Sequence, residues 1–205
     1  MALNHREIDQ ILEEAALAGL FVRRIRQSDY STLLLELSGA GARGRTLVLA
    51  MAQTNPLLFL SSAPPDPMKP SPRFAELLRS RIRGGRIRDV SQPAADRIVH
   101  LRIDRGGDAV NLYARFWTNA ANVLAVDDSG VILDAMFRRP GRKEVSGEPW
   151  ELPTPRAPPK DFAVRAHPES GLMPVIESEW REQLAPPDDS EEFRARLENL
   201  VEETA

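Results

Sequence analysis

Nine short runs of strand-forming residues, each bounded by glycine, proline or polar turns, constrain this chain more than any other feature. Four lie between residues 21 and 62: FVRRIRQ, STLLLELS, RTLVLAMA and PLLFLSS. Five lie between residues 86 and 137: RIRDV, DRIVHLRID, DAVNLYARFW, NVLAVD and VILDAMF. Each run has the length and β-branched or aliphatic content of a strand, not a helix. Glycine-rich GAGARG separates the second from the third, Gly106-Gly107 sits between two more, and Asp128-Ser129-Gly130 is a strong hairpin turn. Strands in such number, with few helices between them, predict a β-rich α+β domain.

Two helices interrupt the strand pattern. The first is predicted over residues 5–18, with Ile8, Ile11, Leu12 and Ala15 as its buried stripe and Gly19 as its stop. Asn4 and Glu7 have the spacing of a capping box, and Leu3 with Ile8 that of a hydrophobic staple. The second follows SSAPPDPMKPSP, whose five prolines exclude helix and central strand. Ser71 is its expected N-cap and Pro72 its first residue. Phe74, Leu77, Leu78 and Ile82 form the inner face, and Gly84-Gly85 ends it.

The reading divides the chain into a β-rich domain over residues 1–137, a proline-rich linker or wrap over 138–173 and an acidic helical segment over 174–205. In the last, PVIESEWREQL and SEEFRARLENLVEET are predicted helices, each with an apolar face. There is no cysteine, so disulfide and thiolate chemistry are excluded. No apolar run approaches the ~20 residues that span a bilayer. The first ten residues carry charges where a signal peptide has an apolar core. The expected location is cytoplasmic, with no membrane partner.

Charge points to a partner. Residues 71–105 hold nine arginines and no lysine, opposed only by Glu76, Asp89, Asp96 and Asp104. The whole chain is at −3, but residues 176–205 hold ten acidic and three basic residues, a net of −7, leaving the rest at +4. Guanidinium is planar, always charged and matched to phosphate by a bidentate fork. A polyanion, nucleic acid above all, is the partner this pattern suggests. Arg79, Arg83 and Arg86 lie at the end of the second helix and its turn, placed to grip phosphates. Asp96 can position Arg97 by an ion pair or accept from a ribose or base edge; the plainer alternative is that the two merely pin a loop.

No catalytic pattern stands out. The chain has no P-loop, GxGxxG, GxSxG or HExxH. His5, His100 and His167 are scattered, and without cysteine a structural zinc is not expected. His100 alternates with Val99 and Leu101 and reads as a surface or half-buried strand residue. Glu13-Glu14 and Asp127-Asp128 read as solvated charge on a helix and in a turn. Trp117 and Trp150 read as packing residues. The expectation is a binding protein, without enzymatic activity, cofactor or metal.

Several of these elements, taken in order, carry a resemblance. Phe74, Leu78-Arg79, Gly84-Gly85-Arg86-Ile87, Gln92, Asp96-Arg97, Asn122 and Asp127 occur in the sequence and spacing of the NFACT family's N-terminal domain. That family comprises fibronectin-binding-protein-A-like proteins, including RqcH-type factors of ribosome quality control. The resemblance covers residues 19–133. It departs at Arg115-Phe116-Trp117-Thr118, where the family has Glu-Leu-Met-Gly, and at Ala121, where it has serine. The helix-hairpin-helix, coiled-coil and C-terminal regions of complete members are not in the sequence.

The resemblance implies a fold similar to the N-terminal domain of formamidopyrimidine-type DNA glycosylases, with a helical C-terminal appendage. Met1-Ala2-Leu3 offers neither the proline amine nor the glutamate of those enzymes, so glycosylase activity is not expected. It also implies tRNA and the large ribosomal subunit as partners, with tRNA recruited to stalled peptidyl-tRNA complexes for tailing without mRNA. The RNA-binding residues that the resemblance implies are Asp96 and Arg97, and less directly Arg79 and Arg86; Arg83 joins them from the charge pattern. The alternative is a non-catalytic protein-interaction module, like fibronectin-binding proteins or adaptors. In that reading the acidic C-terminal helices, with Trp180 and Phe193, dock a partner or shield the basic region.

Overall fold

The structure, a computed structural model, describes residues 2–40, 44–154, 164 and 171–184. Helix α1 (His5–Ala15) precedes strands β1 (Phe21–Gln27), β2 (Thr32–Ser38), β3 (Thr46–Ala50) and β4 (Leu57–Ser61). Helix α2 (Arg73–Ile82) then leads into β5 (Arg86–Ser91), β6 (Ile98–Arg105), β7 (Asp108–Arg115), β8 (Asn122–Asp127) and β9 (Ile132–Ala135). Helix α3 (Met173–Leu184) closes the described chain, and the segment SEEFRARLENLVEET lies outside it. All nine strand runs read from the sequence form strands, and every sheet pairing is antiparallel.

The strands form one sheet in the order β4-β3-β2-β1-β5-β6-β7-β8-β9. Hairpins build each half, since every neighbour within a half is also a sequence neighbour. The single non-sequential contact, β1 with β5, is narrow: its strand register is Phe21↔Arg86 alone. Backbone bonds extend this junction on both sides. The Gly19 N–H donates to the Ile87 carbonyl at 2.8 Å and the Ile87 N–H to Leu20 at 2.8 Å. The Val22 N–H donates to Gly85 at 2.9 Å and the Gly84 N–H to Val22 at 2.7 Å. Gly85 has no room for a side chain: a Cβ there would lie 2.8 Å from Ile103 Cγ2 and 3.0 Å from the Ile82 carbonyl oxygen.

Each helix lays an apolar face on the sheet. In α1 the capping box forms as the sequence predicts, with the Glu7 N–H donating to Asn4 Oδ1 and the Asn4 N–H to Glu7 Oε2, both at 3.0 Å. Leu3 and Ile8, the staple pair, are fully buried. The helix stops earlier than expected, at Ala15, where Ala16 takes the left-handed conformation as C-cap. Gly19 does not stop the helix; it serves the β1–β5 junction instead.

Helix α2 packs on β1, β6 and β9 through Phe74, Ala75, Leu78 and Ile82. Its start also differs from expectation. Pro72 is the N-cap, without a side-chain hydrogen bond, and the Ser71 hydroxyl instead accepts from the Arg79 guanidinium. Tertiary contacts anchor the first turn: Arg73 pairs with the buried Asp134 and donates to the Ala135 carbonyl at 2.9 Å.

Helix α3 packs on β4. Trp180 is buried against Phe59, ring centroids 5.2 Å apart, so its indole belongs to the core and offers no docking surface. The Ser61 hydroxyl donates to Glu177 at 2.7 Å. The Glu14 carboxylate accepts from the Leu172 and Met173 N–H groups at 3.1 and 3.3 Å, placing an anion at the helix's positive end. Residues 138–150 run back along the β8–β9 hairpin, with the Trp150 N–H on Gly130 at 2.7 Å and the Ile132 N–H on Glu148 at 2.9 Å.

Two substitutions test this architecture by urea denaturation. Gly85→Ala is expected to destabilise by about 1–3 kcal/mol, as an overpacked contact does. Trp180→Ala is expected to cost about 3–5 kcal/mol, the range for a buried tryptophan. A stability equal to the parent's in either case would show that the junction or the α3 contact contributes nothing.

Candidate nucleic-acid interface

Because β1 meets β5 only at its start, the two strands part beyond Val22 and leave a groove. Helix α2 and the Pro67–Met68 segment form the opposite wall, the Met68 N–H donating to the Gln27 carbonyl at 2.8 Å. The cavity is about 350 Å³, lined among others by Arg24, Arg26, Gln27, Met68, Arg79 and Arg83.

Cations outnumber anions here. Glu36 on β2 is shared by Arg23 at 3.1 Å and by Arg24 and Arg26, each at 3.8 Å. Arg79 pairs with Glu76 at 2.9 Å one turn away. Arg83 has no hydrogen bond or ion pair among the described residues. Arg86, at the β1–β5 junction, lies over the Phe21 ring at 5.9 Å, and Phe21 is itself 44% exposed.

Asp96 and Arg97 lie at the opposite end of β5. Arg86 pairs with Asp104, and Ile98 lies six positions from Asp104 along β6. At ~3.3 Å per residue this is roughly 20 Å. The site residues read from the sequence therefore fall into two places, with Arg79, Arg83 and Arg86 at one and Asp96 and Arg97 at the other.

The ion pair expected between Asp96 and Arg97 is not formed. Asp96 Oδ1 accepts from the Arg97 backbone N–H at 2.6 Å and from the Trp117 indole N–H at 3.1 Å. Gln92 holds the same loop by donating to the Asp96 carbonyl at 2.6 Å. The half-buried Arg97 guanidinium has no partner among the described residues. Trp117 has a second neighbour in Arg115, whose guanidinium lies 4.9 Å from the ring centroid.

Behind this loop is a buried polar cluster. Arg115 and Glu144, side chains 5% and 3% exposed, form an ion pair. Asn122 donates to Glu144 at 2.7 Å and to the Phe137 carbonyl at 2.9 Å. Arg139 lies 3.6 Å from Glu144 and donates to Gln53 Oε1 at 2.9 Å. Burial shifts the Arg139 pKa down from the usual arginine range, and Glu144 opposes the shift.

Sequence reasoning missed Arg24, Arg26 and Gln27 in the groove, and Gln53, Arg139 and Glu144 in the cluster. The first three had a signal, the RRIRQ run in a predicted strand. The others are joined only by the fold. His100 is half-buried as expected, 2.9 Å from Asn111 and stacked on Tyr113 with centroids 4.7 Å apart. Trp150 packs against a small second cluster of β8–β9 residues. Among the described residues no group of His, Asp and Glu has a metal-binding arrangement, and no helix is long and apolar enough to cross a membrane.

The class is thus an α+β domain on one nine-stranded antiparallel sheet, with arginine-bearing surfaces at both ends of β5. The family described as NFACT N-terminal and middle domains matches residues 7–170, and the chain belongs to that family. No curated protein matches the sequence.

Solved structures share the fold. The fibrinogen-binding protein of Staphylococcus aureus aligns at a TM-score of 0.65 and 23% identity, over 75% of this chain and 57% of its own. The N-terminal domain of fibronectin-binding protein PavA of Streptococcus pneumoniae aligns at 0.69 and 19%, over 78% and 65%. The N-terminal part of the fibronectin/fibrinogen-binding protein of Streptococcus suis aligns at 0.67 and 18%, over 92% and 71%. This chain thus spans less than two thirds of the first two.

Removing one member of a buried ion pair leaves an uncompensated charge, at a cost of about 3–5 kcal/mol. Glu144→Ala is expected to destabilise by that amount, read from denaturation midpoints. A loss below about 1 kcal/mol, the worth of an exposed pair, would place the Arg115–Glu144 pair in solvent.

Proposed function

We propose that this chain is an RNA-binding module that engages tRNA and the large ribosomal subunit. In that role it serves ribosome-associated quality control, recruiting tRNA to stalled peptidyl-tRNA complexes for tailing without mRNA. The observation that carries the reading is the Arg97 guanidinium. Arg97 is half-buried, its backbone is fixed on a loop braced by Asp96, Trp117 and Gln92, and the guanidinium is without a partner among the described residues. A cation whose backbone is anchored and whose charge is unpaired favours an anionic ligand over self-stabilisation. Family membership supports the same reading, since the Asp-Arg pair is where the family resemblance locates tRNA contact. The fibronectin and fibrinogen in the neighbours' names belong to those proteins, whose likeness to this chain is one of fold.

Asp96 acts here as a positioning group. Its carboxylate fixes the backbone of Arg97 and the Trp117 ring, leaving the guanidinium free to meet a phosphate or a base edge.

The test is binding of labelled tRNA and of large ribosomal subunits across a salt series, with an Asp96→Ala, Arg97→Ala double variant alongside. Affinity is expected to fall steeply between about 50 and about 200 mM salt, as counterion release requires. The double variant is expected to bind at least about tenfold more weakly, since hydrogen bonds to a charged group are each worth about 1.5–3 kcal/mol. Salt-independent binding, or parent affinity in a folded double variant, would overturn the reading.

A further inference from the structure

We propose that the groove between β1 and α2 is a nucleotide-binding cleft, taking one phosphate-bearing unit of a single-stranded RNA. The proposal deepens the RNA-binding reading and rests on it only for the identity of the polymer. The site is separate from the Asp96–Arg97 loop, roughly 20 Å away along β5.

Three of the groove's four cations are loosely held, and Arg79 alone is committed, to Glu76 and Ser71. Arg24 and Arg26 share Glu36 with Arg23, and each stands 3.8 Å from its carboxylate, well outside the ~2.8 Å of a committed charge-assisted bond. Arg83 has no partner among the described residues. Arg24 and Arg26 are two strand positions apart, ~6.6 Å, so both reach a single phosphate. Arg79 and Arg83 approach from the facing helix and its C-cap.

Two polar atoms of the lining are buried with no hydrogen-bond partner: the acceptor Gln27 Oε1 and the donor Arg79 Nε. Gln27 is 2% exposed, so water does not relieve its cost. A ligand that satisfies both atoms carries an anionic acceptor for Arg79 and an N–H or O–H donor for Gln27. The phosphodiester of an RNA carries no O–H at neutral pH, so the donor must come from another part of the nucleotide. A nucleotide offers both, the phosphate on one part and a ribose hydroxyl or base amine on another. Ile25, Pro67 and Met68 supply the apolar surface against which a sugar or base packs.

Size selects the strandedness. At about 350 Å³ the cavity lies at the small end of the ~300–1,000 Å³ range of small-molecule sites. It holds one nucleotide unit and cannot hold a duplex.

The experiment is fluorescence anisotropy of a labelled single-stranded RNA of about five nucleotides, on the full chain, with AMP and inorganic phosphate as competitors. Arg24→Ala, Arg26→Ala is expected to weaken binding at least about tenfold, and Arg83→Ala severalfold. Arg181→Ala, on α3 and paired there with Glu177, is expected to leave it within about twofold, as additivity of distant sites predicts. AMP is expected to displace the RNA at lower concentration than phosphate does, and Gln27→Met to erase that preference.

Parent affinity in the folded double variant, or in Arg83→Ala should the double variant not fold, would overturn the cleft. So would equal competition by phosphate and AMP, which would make the groove a plain anion site. Dependence of tRNA binding on Asp96 and Arg97, with the oligonucleotide indifferent to Arg24 and Arg26, would remove the cleft and keep the proposed function. AMP bound at the groove by a protein that ignores tRNA would support the cleft and remove the polymer.

Discussion

A short backbone ladder, residues 19–22 against residues 84–87, is the constraint on which the rest of the structure depends. Without it the sheet would be two separate sets of hairpins. It forms because Gly85 has no side chain and so can sit against Ile103 and the Ile82 carbonyl. It stays short because β1 then bends away, and the Val22/Arg24 register shift marks where it does. The same event that joins the halves thus opens the arginine-lined groove beside them.

Much of the fold was legible because it is local. The strand runs, the hairpin turn in which Asp127 accepts from the Ser129 and Val131 N–H groups at 2.9 Å each, and the Asn4–Glu7 box all follow from residues within a few positions of one another. The failures are places where a local signal was captured by a distant partner. Gly19 looks like a helix stop and works as a strand junction. Ser71 looks like a cap and its hydroxyl is taken by Arg79. The Asp96 carboxylate, read as a partner for the neighbouring guanidinium, finds an indole N–H twenty-one positions on. Neighbours in sequence on an extended chain point to opposite sides, which favours that outcome.

Several residues that carry the family resemblance are occupied with backbone. Gln92, Asp96 and Asn122 each bond a loop N–H or carbonyl, and Asp127 caps a turn. They shape the surfaces on which arginines stand; Arg86 and Arg97 remain without an ion pair among the described residues, while Arg79 is taken by Glu76 and Ser71. Where the chain departs from the family pattern, at Arg115, the departure is neutralised from outside the motif, by Glu144 in the return segment after β9. No reading of residues 19–133 alone reaches that partner.

The Glu14 contact with the start of α3 joins positions 158 and 159 apart in sequence. On a ribosome making this protein, α1 and the hairpins β1 to β4 emerge first and pair with neighbours already present. The sheet's two halves unite only when residues 84–87 have followed, and the Glu14 carboxylate waits longer still. Until residues 171–180 appear, β4 lacks Trp180 and Ile176, and Phe59 lacks the indole that covers it. The last part of the described chain to be made is thus the one that seals its first hairpins, which ties the durability of the N-terminal half to the arrival of residues 171–184.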